Sequence, residues 1–124
     1  MKGTSGYQKQ AQLFLALSHP VRLQILDILS RQEACVCHLT AALGKRQPYV
    51  SQQLAALREA GLVSDRREGT LIYYRLADER LAGLLAESRA LAAASAASAD
   101  GNVVFPPVPE AVLDNCPCPR CQAS

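Results

Sequence analysis

The punctuation between residues 36 and 76 constrains this chain more than any other feature of its sequence. Gly44, Pro48, Gly61 and Gly69 cut that stretch into short, regularly patterned pieces. In 36–43, Leu39 and Leu43 share one helical face and Gly44 supplies a stop. Pro48 suits the first turn of a second helix reaching about residue 60, where Val50, Leu54 and Leu57 recur at i, i+4 and i+7 before Gly61 ends it. Two short helices joined by a few residues that include a glycine form a helix-turn-helix signature. The period then changes. Residues 62–66 and 71–76 are rich in β-branched and aromatic side chains and flank Arg67-Glu68-Gly69-Thr70, which predicts a β-hairpin turned at the glycine.

Helical patterns flank this centre. Residues 8–18 carry Ala11, Leu13, Leu15 and Leu17 among polar neighbours, and 20–31 open on Pro20 with Val21, Ile25, Ile28 and Leu29 at helical spacing. Residues 78–95 follow the hairpin, with Leu81, Leu84, Leu85 and Leu91 as an apolar stripe and Asp78 as the cap. The expected fold is mainly α with a β-hairpin, a winged helix-turn-helix with a flanking helix at each end. Residues 1–95 form that domain, and 96–124 a flexible Ala/Pro-rich tail with no core of its own, since five of the seven prolines lie between 106 and 119. With 49% apolar residues in 124, one packed core is expected and wholesale disorder is excluded. No apolar run approaches the roughly 18 residues of a membrane span, and the first ten residues lack a signal-peptide core, so no membrane partner and a cytoplasmic location are expected.

A net charge of +2 conceals a gradient: residues 41–75 hold six basic groups against three acidic, and 76–124 three against six. The basic excess coincides with the second helix and the hairpin. On a wheel of 48–61, Val50, Leu54, Leu57 and Gly61 face inward, Tyr49, Gln52, Ala56 and Glu59 outward, with Ser51 and Arg58 on one flank and Gln53 on the other. Serine and glutamine donate and accept at base edges and phosphates, as a helix in the major groove requires. Lys45 and Arg46 at the preceding turn, and Arg66 and Arg67 at the hairpin, suit a phosphate backbone. The candidate contacts with double-stranded DNA are Lys45, Arg46, Gln47, Tyr49, Ser51, Gln52, Gln53, Arg66 and Arg67. The alternative is a helical domain with a solvated polar face.

The strings LSHPVRLQILDIL, VCHLTAALG, YVSQQLAALREAGLV and RREGTLIYYRL resemble the ArsR/SmtB family of metal-responsive repressors over residues 10–90. The resemblance implies a homodimer paired mainly through its first and last helices. It also implies operator binding in the apo state and release when an inducer binds.

Five cysteines complete the pattern: Cys35 and Cys37 at the start of the first helix of the pair, and Cys116, Cys118 and Cys121 in the tail. An odd number cannot all pair within one chain, and a reducing compartment favours metal ligands or redox thiols over structural disulfides. In a regular helix, positions i and i+2 face about 200° apart, so both sulfurs reach one ion only where the helix start is unwound. A helix N-terminus also favours the thiolate. In the arsenic- and cadmium-sensing branches of the family a Cys-Val-Cys here supplies inducer ligands, and Cys35 and Cys37 match that motif. His38, where those sequences often have Asp, is a weaker candidate. The family's site recruits further thiols, and here only the tail offers them. Three thiolates suit As(III), Pb(II) or Sb(III), and four suit Cd(II) or Zn(II). As(III) and Cd(II) rank above Zn(II), because the family's zinc site on the last helix uses Asp and His and DERLAGLLAESRALA contains no histidine. Other readings stand beside this one: a redox or persulfide sensor joining Cys35 or Cys37 to a tail cysteine, a buried apolar cysteine, a separate structural zinc in the tail, or a metallochaperone. An enzyme is not expected, since the chain lacks a Gly-rich phosphate loop and a Ser/His/Asp set, and His19 flanks a helix beside Pro20.

Overall fold

The computed structural model describes residues 5–97, 103–105 and 116. The chain runs α1 (Gly6–Leu17), α2 (Pro20–Leu29), β1 (Ala34–Cys35), α3 (Val36–Leu43), α4 (Gln47–Glu59), β2 (Val63–Glu68), β3 (Leu71–Leu76) and α5 (Arg80–Ala97). Among the described residues, no helix is long and apolar enough to cross a membrane.

Local chemistry accounts for the boundaries. Ser5 caps α1 by accepting from the Tyr7 amide, while the Gln8 side chain accepts from the Ser5 amide, a reciprocal capping box. Pro20 stands in the first turn of α2, and His19 is its N-cap residue without a side-chain capping bond. Gly44 closes α3 at φ 64°. At the end of α4 the Gly61 amide donates to Arg58 and the Leu62 amide to Leu57, the paired bonds of a Schellman motif that needs a left-handed residue, and Gly61 has φ 77°. Gly61 therefore sits past the helix and exposed, not on its inner face as the wheel has it. Ala56, placed outward on the wheel, is half-buried.

The core draws on every helix and on all three strands. Ile25 and Leu26 of α2, Leu39 of α3, and Val50, Leu54 and Leu57 of α4 are fully buried, joined by Leu17, Leu62, Val63, Tyr74 and Leu81. In α1 only Leu13, Ala16 and Leu17 turn toward this core; Ala11 and Leu15 are exposed, which is why its apolar pattern is unsharp.

The wing differs from a simple hairpin. The sheet has three antiparallel strands in the order β1-β3-β2, and β2 runs two residues further than the sequence suggests, leaving Gly69 and Thr70 as the turn. The added strand, β1, is two residues long, with Ala34 opposite Tyr74 and Cys35 opposite Tyr73. Two residues carry no alternation, so periodicity could not find it.

Candidate functional site

Cys35 is both the last residue of β1 and the N-cap of α3. Its extended backbone (φ −82°, ψ 164°) lets Sγ accept from the His38 amide at 3.3 Å, closing the first turn of the helix. Cys37 is two residues on, inside α3, with a Cα–Cα separation from Cys35 of 5.4 Å. Because Cys35 is extended and Cys37 helical, the two sulfurs turn to the same side, and the structure joins them as a disulfide. The expectation that structural disulfides are absent is corrected here: the break in backbone conformation brings together groups that a regular helix would hold apart.

Cys116 completes the group. It is fully buried against Cys35 and Tyr73, with Cys37, Ala41 and Leu71 packed around them. The sulfurs of Cys35, Cys37 and Cys116 all lie within 4.8 Å of one another. Sulfurs bound to one ion at about 2.3 Å stand about 3.8–4.0 Å apart in tetrahedral or trigonal geometry, so this donor set fits a soft ion once Cys35 and Cys37 are both reduced. Disulfide and metal complex are mutually exclusive states of the same sulfurs. His38 is buried but contributes no atom to the group. Cys118 and Cys121 lie outside the described residues.

A second surface carries the candidate DNA contacts. Val50, Leu54 and Leu57 anchor α4 in the core, leaving Tyr49, Ser51 and Gln52 exposed on its outer side. Lys45 and Arg46 are exposed in the turn before it, and Gln47 begins the helix. Gln53 is half-buried and accepts from Arg22 Nε at 2.8 Å, and Arg22 also donates to the Ala16 carbonyl at 3.2 Å, a strut between α4 and the α1–α2 junction. Arg58 pairs with Asp65 of β2 at 3.0 Å, fixing wing to helix. Arg67 is exposed on β2.

Arg66 is not a bare surface cation. Its Nε and one terminal nitrogen donate to both carboxylate oxygens of Glu33, at 2.8 and 2.6 Å, and the other donates to Glu68 at 3.0 Å. The guanidinium also lies 4.8 Å from the Tyr73 ring centroid. The bonds to Glu33, and then to Glu68, raise its already high pKa, so it is always charged. Glu33, Tyr73 and Arg22 are the residues that sequence reasoning missed at these two sites. The partners of Glu33 and Arg22 lie 33 and 31 positions away, and no local pattern encodes such pairs.

Residues 19–65 match the family described as bacterial regulatory protein, arsR family. The chain is similar to the transcriptional repressor SmtB homolog of Synechocystis, 45% identical over 80 residues, which are 64% of this chain and 61% of that protein. It is also similar to the arsenical resistance operon repressor of Escherichia coli, 48% identical over 66 residues, 52% of this chain and 56% of that protein. The chain thus spans less than two thirds of the length of these two curated relatives. Among solved structures it resembles Rv0081 of Mycobacterium tuberculosis with TM-score 0.70 and 34% identity, covering 77% of this chain and 97% of that one. The homodimeric winged helix-turn-helix DNA-binding domain Mb0332 of Mycobacterium bovis is similar with TM-score 0.65 and 39% identity, covering 74% and 90%. The match spans the helix-turn-helix, and these structures share the whole winged domain, so the chain belongs to the ArsR family of DNA-binding transcriptional regulators.

Proposed function

We propose that this protein is a homodimeric transcriptional repressor that binds operator DNA and releases it when a soft, thiophilic ion binds its cysteines. The observation that carries the reading is the convergence of three sulfurs, from a helix start and a distant tail, within 4.8 Å. Three thiolates match the trigonal preference of As(III), and also of Pb(II) or Sb(III). Tetrahedral Cd(II) would draw its fourth donor from Cys118 or Cys121, and Zn(II) ranks below these softer ions. The arsenical resistance repressor among the relatives supports the same class of inducer.

In this reading Tyr49, Ser51, Gln52 and Gln53 of α4 approach base edges, with Lys45, Arg46 and Gln47 at its start and Arg66 and Arg67 on the wing contacting phosphates. Gln53 has its carbonyl oxygen engaged by Arg22, which leaves its amide for DNA. Dimer contacts fall to α1 and α5, which expose Tyr7, Phe14, Leu15 and Leu91. Release requires that the ion bind the DNA-free dimer more tightly than the DNA-bound one.

The test is titration of the reduced protein on DNA with arsenite, Cd(II), Pb(II) and Zn(II), following thiolate-to-metal absorption and DNA anisotropy together. Arsenite or Cd(II) should release the DNA, and Cys35→Ser or Cys37→Ser should abolish the response. No release by any ion would end the metal reading. The Cys35–Cys37 disulfide supports a second one, in which peroxide or a polysulfide takes two electrons from the thiols, two protons leave, and operator affinity changes without metal. Release by peroxide and not by arsenite would select it.

A further inference from the structure

A continuous row of contacts links the thiol cluster to the wing. Cys35 stands opposite Tyr73, and Tyr73 opposite Arg66, so the three residues cross all three strands in register. Directly opposed residues place their side chains on one face of a sheet. The Tyr73 ring is buried against Cys35 and Cys116 and carries the Arg66 guanidinium over its face. Glu33, two residues before Cys35, grips that guanidinium with both oxygens, and Glu68 takes its remaining side.

The charge at this point is wrong for DNA. One arginine between two carboxylates sums to −1 where a phosphate must approach. Arg66 cannot offer its two-pronged edge to Glu33 and to a phosphate at once, because both acceptors need the same pair of N–H groups. The pair with Glu33 is also only partly shielded, with the arginine side chain 44% exposed and the glutamate 21%. A competing anion can reach it.

We propose that Arg66 is a phosphate contact in the DNA-bound state and that Glu33 is the phosphate's competitor, making Glu33 the positioning residue through which the thiol cluster controls the wing. The proposal rests on the reading of Cys35, Cys37 and Cys116 as the inducer site. An ion bound there ties Cys35 to Cys116, which packs with Tyr73 of β3, and so steadies the two-residue strand β1 beside β3. That holds Glu33 in register with Arg66 and keeps the guanidinium folded over Tyr73. Only two residue pairs hold β1 to β3, so where no bond or ion ties the cysteines together Glu33 can yield Arg66 to a phosphate. Ion and DNA then favour opposite states of one ion pair, and each weakens the other by the same factor.

The test uses the reduced full-length chain, a DNA duplex selected by the wild-type protein from a random-sequence library, and arsenite or Cd(II). Glu33→Gln should tighten DNA binding about three- to tenfold, the scale of an exposed pair and one regained phosphate contact. The loss of affinity caused by the ion should shrink by a similar factor, while thiolate-to-metal absorption and stoichiometry stay as in the wild type. Glu68→Gln makes the same change of charge beside the same arginine but off the cysteine strand. It should tighten DNA binding and keep the full response to the ion. Arg66→Gln should lower the slope of log affinity against log salt by about 0.9, the value of one phosphate. A full response in Glu33→Gln, or equal behaviour of the two glutamate variants, overturns the proposal while leaving the inducer site intact. Wild-type protein that shows no thiolate-to-metal absorption overturns the inducer site, and this relay with it.

Discussion

Cys35 ends a strand, caps a helix and joins a sulfur cluster through one backbone conformation, and the Cys-Val-Cys spacing has chemical meaning only because of it. In a continuous helix Cys37 would point away; with Cys35 extended, the two side chains converge. Asp78 shows the same economy at the start of α5. Its carboxylate accepts from the Arg80 amide at 2.9 Å and pairs with the Arg80 guanidinium at 2.7 Å. Those side-chain and backbone bonds hold its pKa down to about 2 from an ordinary 3.8. A depressed carboxylate contributes stability above its unfolded value and loses it as pH falls through the folded one. The first turn of α5 should therefore stay capped at pH 4 and fray toward pH 2. A carboxyl-carbon NMR titration of Asp78 checks this, and a midpoint near 3.8 would refute it.

At the scale of an element, the proposed reading has α4 separate stability from recognition by face. Leu54 is fully buried, so Leu54→Ala should cost about 2–5 kcal/mol in urea unfolding. Ser51→Ala and Gln52→Ala remove exposed polar groups and should leave the unfolding midpoint nearly unchanged. Each should still reduce discrimination between the selected DNA and random DNA by about 1–3 kcal/mol, read by anisotropy. Equal losses of stability on both faces would show that α4 is a structural helix alone. Gln53 sits between these roles, since it holds Arg22 as well as flanking the outer face. The wheel placed it on a flank, and its partner supplied the rest.

At the scale of the molecule, α1 and α5 carry an apolar surface that the chain's own core does not use. Phe14 is 47% exposed and Leu91 72%, alongside Tyr7 and Leu15. The proposed homodimer through these helices would cover them, so Phe14→Glu or Leu91→Glu should shift the protein to monomer in sedimentation equilibrium. DNA affinity should fall with it, because one recognition helix replaces two. A dimer that survives both substitutions would place the interface elsewhere. Among the described residues the tail touches the domain through Phe105, whose ring centroid lies 4.5 Å from the Arg89 guanidinium, and through buried Cys116.

The sequence alone determined the helices, the turn glycines, the hairpin, the basic centre of the chain and the cysteine pair at a helix start. These rest on periodicity, capping and turn chemistry, each a relation among neighbours a few positions apart. Only the tertiary structure decided that a two-residue third strand exists, that Cys116 meets Cys35 and Cys37 from about eighty positions away, and that Arg66 is held by Glu33. Such contacts leave no period to read. They arise when packing brings distant segments together, and a short strand or a buried sulfur gains its partner only after the rest of the chain has closed around it.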